Sequence, residues 1–169
     1  MDLEAALDSS IKALKRDEVY FEATARTHGA ELKTLDRLKK FADYRVLLPN
    51  KDKFDVALCS TFYQDLALIE LMYTSESRGT RIDLPAPGLK AQAIAFMYNE
   101  RFYILKATDF ELKALRQQFK DGEETEAFDD TELLSGHVYR HKGYVFATLA
   151  VSDIRASFYK RWTVPVFSL

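Results

Sequence analysis

The sequence predicts an α/β fold, with a central mixed sheet that starts as three antiparallel strands and is flanked by helices. Apolar residues recur every three or four positions at the start of the chain, and short apolar runs separated by turn residues follow. Helical spacing and strand-length apolar runs both recur in the second half of the chain. The chain has 169 residues, of which 47% are hydrophobic, so we expect one domain over 1–169 with a substantial core.

The N-terminal segment 1–41 is expected to be helical. Residues 2–27 carry apolar side chains at helical spacing, with charges between them. One of three polar residues could divide this segment into two helices: Asp8, Ser9 or Asp17. His28-Gly29 is a plausible helix end, because glycine adopts the left-handed C-cap conformation without steric cost. A second helix is expected over 31–41, with Leu32, Leu35, Leu38 and Phe41 on one stripe.

Three strand-length apolar runs come next, over residues 44–48, 54–59 and 66–73. A Pro-Asn turn signal ends the first run, and short polar loops join the three. We expect the runs to form an antiparallel meander. The third run is rich in Leu and Ala, so its propensity also permits a helix.

The middle of the chain is expected to alternate between irregular and regular structure. Residues 74–88 have the composition of a polar loop, and an apolar pattern at helical spacing follows over 89–97. A strand is expected over 102–107, and a helix capped by Thr108 or Asp109 runs from there to about residue 120.

The C-terminal segment 133–169 is expected to form a hairpin and a tail. Three elements are predicted: a hairpin over 137–149, a short helix capped by Ser152-Asp153, and an edge strand over 162–167. Pro165 disfavours a central position for that last strand, because proline cannot donate a backbone hydrogen bond.

The charge balance excludes a histone-like protein, since 24 basic residues stand against 26 acidic ones. Seven acids concentrate in residues 121–132, which we interpret as a solvated loop. Without them the rest of the chain has a formal charge of +5. This mildly basic remainder permits a polyanionic partner.

The single cysteine, Cys59, excludes an internal disulfide framework and a cysteine-based zinc site. Its apolar neighbours predict a small buried side chain. The N-terminus has no basic, apolar leader pattern, and no apolar run approaches the ~20 residues of a membrane span. We therefore expect a soluble cytoplasmic protein without a membrane partner.

Two acids on consecutive strand candidates form the first candidate site. Asp55 and Glu70 lie fourteen residues apart, and adjacent antiparallel strands can bring such carboxylates together. A carboxylate pair binds Mg²⁺ through hard oxygen ligands, and the metal can then activate water for attack on a phosphate. The alternatives are that Asp55 is a solvated acid at a strand end and Glu70 the polar residue of a solvent-facing strand.

Over residues 31–120 this order and spacing resemble the restriction-endonuclease-like, PD-(D/E)XK nuclease superfamily. Asp55 matches the family's aspartate and Glu70 its second acid, whereas Met72 stands where the family has a lysine. Some members take that lysine from the following helix, and Lys90 is the candidate here. The resemblance implies a Mg²⁺-dependent endonuclease in which Asp55 and Glu70 hold the metal and Lys90 assists the reaction.

Arg78 and Arg81 are the candidate phosphate contacts of such a nuclease, because arginine binds phosphate bidentately. The expected partner is nucleic acid, DNA rather than RNA; the alternative is a polar surface loop. A second hypothesis follows from Met72: a non-catalytic interaction protein, such as a regulatory subunit or inhibitor, on the same scaffold. A homodimer built on the N-terminal helices is a third.

Overall fold

Within residues 2–165, which the computed structural model describes, the chain forms two six-stranded sheets with helices around them. The helices are α1 (Leu3–Asp8), α2 (Ser10–Thr27), α3 (Arg37–Lys40), α4 (Pro87–Lys90), α5 (Phe110–Lys120) and α6 (Val151–Ser157). The strands of the first half are β1 (Glu31–Thr34), β2 (Tyr44–Leu47), β3 (Lys53–Leu58), β4 (Phe62–Tyr63), β5 (Leu66–Ser77) and β6 (Thr80–Pro85). The strands of the second half are β7 (Ala93–Tyr98), β8 (Arg101–Lys106), β9 (Glu124–Glu126), β10 (Val138–His141), β11 (Tyr144–Ala150) and β12 (Lys160–Thr163).

Both sheets are mixed, which confirms the α/β class. The first sheet has the order β1-β2-β3-β7-β8-β12, and its neighbours are antiparallel except for the parallel pair β3 and β7. The second has the order β4-β5-β11-β10-β9, with β6 also paired to β5. Its one described parallel pair is β9 with β10.

The sheets pack face to face through strands that are buried on both sides. In β7, Ala93 and Ala95 face helix α2, while Ile94 and Phe96 face the second sheet. We call the layer between the sheets the inter-sheet core: Ala67, Ile69, Leu71, Ile94, Phe96, Tyr103, Leu105, Val145, Ala147 and Leu149. We call the layer under helix α1 the outer core: Leu3, Ala6, Leu7, Leu66, Leu68, Ala127, Leu133, Tyr139 and Phe146.

Several predicted elements are confirmed. The N-terminal helical segment divides at Ser9 and ends before Gly29, whose φ of +79° is the left-handed conformation that favours glycine. The hairpin of β10 and β11, the strand β8 and the helix α5 are present, and Asp109 caps α5 through the backbone N–H groups of residues 111 and 112.

The predicted helix over 31–41 is wrong. Residues 31–34 form β1, which pairs with β2, and only the single turn of α3 remains helical. The Leu38 side chain is 76% exposed, so the apolar stripe is not buried as a helix face. The backbone pairing with β2 overrides the local helical spacing, as tertiary contacts commonly override propensity.

The predicted helix over 89–97 is also wrong. A single helical turn, α4, is followed by the strand β7. Because β7 is buried on both faces, its sequence is continuously apolar, and such a run does not show the alternation that distinguishes a strand from a helix.

The expected meander is correct for β2 and β3, but its third strand is misplaced. The run over 66–73 is a strand, as predicted, and not a helix, which its propensity also permits. However, it begins β5 of the second sheet and pairs with β11. The polar loop over 74–88 is wrong too, because β5 continues to residue 77 and turns into β6 through Arg78 and Gly79. Both turn residues have positive φ, 53° and 77°, as a two-residue hairpin turn requires.

The C-terminal elements differ in detail from those expected. Helix α6 begins at Val151, one residue earlier than the predicted Ser152-Asp153 cap, and it has no side-chain cap. Strand β12 lies at the edge of the first sheet, as predicted, but it spans Lys160–Thr163. The predicted tail strand extends to residues 166 and 167, which lie outside the described part. Across residues 2–165, no helix has the length and apolarity needed to cross a bilayer.

Candidate functional site

Asp55 lies in the first sheet, on β3, where it forms an ion pair. Arg45 stands directly opposite it on β2, and the guanidinium Nε and Nη2 atoms donate to the two carboxylate oxygens at 2.8 and 3.2 Å. The Asp55 side chain is 21% exposed. Both of its oxygens are therefore occupied by a cross-strand arginine.

Glu70 lies in the second sheet, on β5, opposite Phe146 of β11. The pairing is irregular just beyond it: Met72 is opposite Val145, so Leu71 is an extra residue, a β-bulge. Leu71 and Met72 consequently both pack toward the inter-sheet core. Glu70 and Tyr73 share the opposite face of the sheet.

The bulge also explains the surroundings of Met72. In a regular strand, residues 70 and 72 point to the same face. Here Met72 packs on the inter-sheet core, away from the face that carries Glu70. Met72, the residue at the position where the resemblance would place a lysine, is therefore turned away from Glu70.

A cavity of about 800 Å³ opens beside Glu70, next to the start of helix α2. Its walls come from the start of α2, from α3, from the end of β3 and the residues that follow it, from β5, from the junction of β6 and α4, and from the start of β11. Most of the lining side chains are apolar or aromatic, including Ile11, Leu14, Leu68, Leu84 and Tyr144. Asp55 is not among them.

The Glu70 carboxyl is the acid of this cavity, and burial raises its pKa to about 7. Arg37, which lines the same cavity, acts in the opposite direction and lowers that pKa. No described residue donates a hydrogen bond to the Glu70 carboxylate or forms an ion pair with it. A half-buried acid without a partner in an apolar cavity is a common feature of functional sites.

Arg37 has its own counter-ion. Its Nη1 donates to the carboxylate of Asp43, a residue that is only 6% exposed. The same Asp43 oxygen accepts the backbone N–H of Leu58 at 2.7 Å. The arginine is thus anchored to the end of β3 and is not paired with Glu70.

Cys59 is half-buried and lies against the cavity, close to the prediction of a small buried side chain. Its Sγ is 3.6 Å from the carbonyl oxygen of Leu68. Burial raises the pKa of this thiol to about 12. The thiolate that a nucleophile or metal ligand requires is therefore disfavoured.

Lys90 is exposed at the end of α4, near the rim of the cavity. Its Nζ lies 4.7 Å from the ring centroid of Phe41, which lines the cavity. This distance corresponds to a cation–π contact. Of the predicted residues, Glu70 lines the cavity and Lys90 reaches its rim.

Arg78 and Arg81 lie elsewhere, at the tip of the β5–β6 hairpin and on β6. Both side chains are exposed. Arg78 is eight residues along the hairpin from Glu70, roughly 25 Å at about 3.3 Å per residue, and Arg81 pairs with the residue six positions from Glu70, roughly 20 Å away. The structure therefore does not bring these arginines together with either acid.

The predicted metal ligands do not form a common donor set in this arrangement. Asp55 and Glu70 belong to different sheets, and the oxygens of Asp55 are engaged by Arg45. Within residues 2–165, no group of three or more His, Cys, Asp or Glu side chains is placed to hold a metal ion. The Mg²⁺ requirement stays a prediction.

Sequence reasoning missed three side chains of the cavity: Arg37, Tyr73 and Tyr144. They come from α3, β5 and β11, which are distant in sequence. No local motif connects them. The signal that was available is Glu70 itself, a carboxylate inside an apolar run, which is costly to bury without a partner.

Comparison with known proteins finds no matching family model, no matching curated protein and no matching solved structure.

We expect Gly88→Ala to destabilise the protein, because Gly88 brings α4 against the backbone of β5. A Cβ at this position would lie 2.2 Å from the carbonyl oxygen of Glu70 and 2.8 Å from Cγ2 of Ile69. The loss in the free energy of unfolding should be roughly 2–3 kcal/mol, the scale of an overpacked site. Urea denaturation measures it. In the control Gly143→Ala, the new Cβ meets Thr74 at an ordinary 3.4 Å, and an equal loss there would contradict the account.

We expect Glu70 to make stability depend on pH. Its folded pKa of about 7 exceeds the ordinary 4.5, so the native state binds the proton more tightly than the unfolded chain. The stabilisation is complete below about pH 4.5 and is lost as the pH rises through 7. Between pH 5 and 8, the wild type should lose about 1–3 kcal/mol relative to Glu70→Gln.

Urea denaturation of both proteins at the two pH values measures this difference. The exposed Glu132→Gln serves as the control and should follow the wild type. Identical pH dependence of the wild type and Glu70→Gln would show that Glu70 is not desolvated.

Proposed function

We propose that this chain is a non-catalytic binding protein that takes one small organic molecule into the cavity beside Glu70. The observation that carries the proposal is the unpartnered carboxyl of Glu70 in a largely apolar cavity of about 800 Å³. Ligand sites in proteins are concave, mostly apolar, about 300–1,000 Å³ in volume, and contain a few polar groups that orient the ligand. The cavity meets each of these criteria.

Exposed apolar side chains at the rim of the cavity also support the binding of a small molecule. Ile11 on α2 and Leu38 on α3 both line the cavity, and their side chains are 67% and 76% exposed. An occupant of the cavity would remove part of this apolar surface from water, which is favourable by about 25 cal/mol per Å². The hydrophobic effect would therefore favour binding even without a polar contact to the ligand.

The test is saturable binding of a neutral, environment-sensitive apolar dye, N-phenyl-1-naphthylamine. We expect one dye molecule per chain, with increased fluorescence. Ser10→Trp places an indole on a half-buried lining position and should weaken binding at least tenfold. The matched variant Ser152→Trp, at an exposed position on α6, should bind as the wild type does.

Circular dichroism of both tryptophan variants verifies that they are folded. Dye binding that does not saturate, or that is equal in the two folded variants, would overturn the proposal.

The restriction-endonuclease-like core and its Mg²⁺-dependent cleavage of nucleic acid stay a prediction from the sequence. A cleavage assay on DNA and RNA with Mg²⁺ or Mn²⁺ separates the two functions. The proposed binding protein should show no turnover. Cleavage that Asp55→Ala abolishes, and that the exposed-site variant Asp130→Ala retains, would contradict a non-catalytic role and establish the nuclease.

A further inference from the structure

We infer that the cavity selects an organic ammonium ion, an amine or quaternary ammonium group on an apolar body, with its charged head beside Glu70. This inference rests on the proposed function and specifies its ligand class. Three features of the described residues carry it: the charge balance of the cavity, its aromatic walls and its apolar remainder.

The charge balance favours a cation. Arg37 is neutralised by Asp43, whose buried carboxylate also accepts the N–H of Leu58. No described residue pairs with Glu70 in the same way. Arg37 acts on Glu70 through space and lowers its pKa, but its hydrogen-bonded ion pair is with Asp43. Among the described lining residues, ionised Glu70 is therefore a charge that no hydrogen-bonded ion pair neutralises, and an anionic ligand would approach it against electrostatic repulsion.

The aromatic walls favour an ammonium ion among the possible cations. Phe41, Tyr73 and Tyr144 all line the cavity. The face of an aromatic ring attracts a cation, most strongly where water is excluded, and proteins recognise quaternary ammonium groups in this way. The ring of Phe41 already carries one ammonium group at the rim, that of Lys90 at 4.7 Å.

The remaining walls fit an alkyl or aryl body. Ile11 and Leu14 of α2 and Leu84 of β6 present hydrocarbon surface to the cavity. A strongly hydrated metal ion would gain nothing from this surface. An amphiphile buries its chain there and places its head at the carboxylate.

The ionisation of Glu70 should control this binding. The charged or titratable groups that line the cavity with it are Arg37 from α3, Cys59 after β3, Tyr73 on β5 and Tyr144 on β11. Lys90 of α4 stands at the rim, over the ring of Phe41. Burial raises the pKa of Cys59 to about 12 and also raises that of Tyr144, so both are neutral near pH 7. Asp17 of α2, whose pKa burial also raises, lies next to Ser60 and does not line the cavity.

The experiment compares three ligands with the same eight-carbon chain by titration calorimetry: octyltrimethylammonium, 1-octanol and octanoate. At pH 8 we expect the ammonium ion to bind at least tenfold more tightly than the alcohol, and octanoate to bind most weakly. At pH 6 only about a tenth of Glu70 is ionised, so ammonium binding should be about tenfold weaker than at pH 8. The quaternary head does not titrate, so the protein is the source of this change.

Glu70→Gln provides the matched variant. It should lose both the preference for the ammonium ion and the pH dependence. Glu132→Gln, an exposed substitution of the same kind, should behave as the wild type. Equal binding of the ammonium ion and the alcohol, or tightest binding of octanoate, would overturn the ligand class and leave the binding function in place. If none of the three ligands and no dye binds, both proposals fail.

Discussion

The pairing of β5 with β11, and the bulge at Leu71 within it, determine what faces the cavity. Before the bulge, β5 alternates between the inter-sheet core and the outer core. The extra residue lets Leu71 and Met72 both pack on the inter-sheet core, and Glu70 and Tyr73 consequently share the cavity face. Without that irregularity, the strand could not bury its apolar residues and still present two polar side chains to one cavity.

Glu70 is held in a position that costs stability. Burial raises its pKa to about 7, which means that the folded protein disfavours the charged form. Gly88 adds a second constraint, since α4 approaches the backbone of Glu70 so closely that no Cβ fits. Local destabilisation of this kind is common where a protein binds a ligand, because the bound ligand provides favourable contacts that the ligand-free protein lacks.

The sequence predicts those parts of the fold that rest on local chemistry. The N-terminal helix divides at Ser9, one of three candidate positions, and α5 is capped by Asp109, one of two candidates. The hairpin of β10 and β11 also has a short-range signal and is present. The misplaced elements depend on distant partners. Strand β7 looks helical because it is buried on both faces, and β5 finds its partner about eighty residues further along the chain.

The candidate site, like the fold, is predictable from the sequence only in part. Glu70 is unusual in the sequence alone, because it interrupts an apolar run. Its expected companion, Asp55, instead pairs with Arg45, an ion pair that depends on the register of β2 and β3. The residues that do line the cavity with Glu70 come from separate elements, and only the packing of the two sheets brings them together.

Glu70 is a desolvated acid without an ion-pair partner among the described residues, and it lies in the cavity that we propose for a cationic ligand. The most direct measurement is the NMR titration of its side-chain ¹³C carboxyl resonance, assigned by comparison with Glu70→Gln, in the absence and presence of octyltrimethylammonium. We expect a midpoint near pH 7 without ligand and a lower midpoint with it, because the cation favours the ionised form. A midpoint near 4.5 that the ligand does not change would contradict the account.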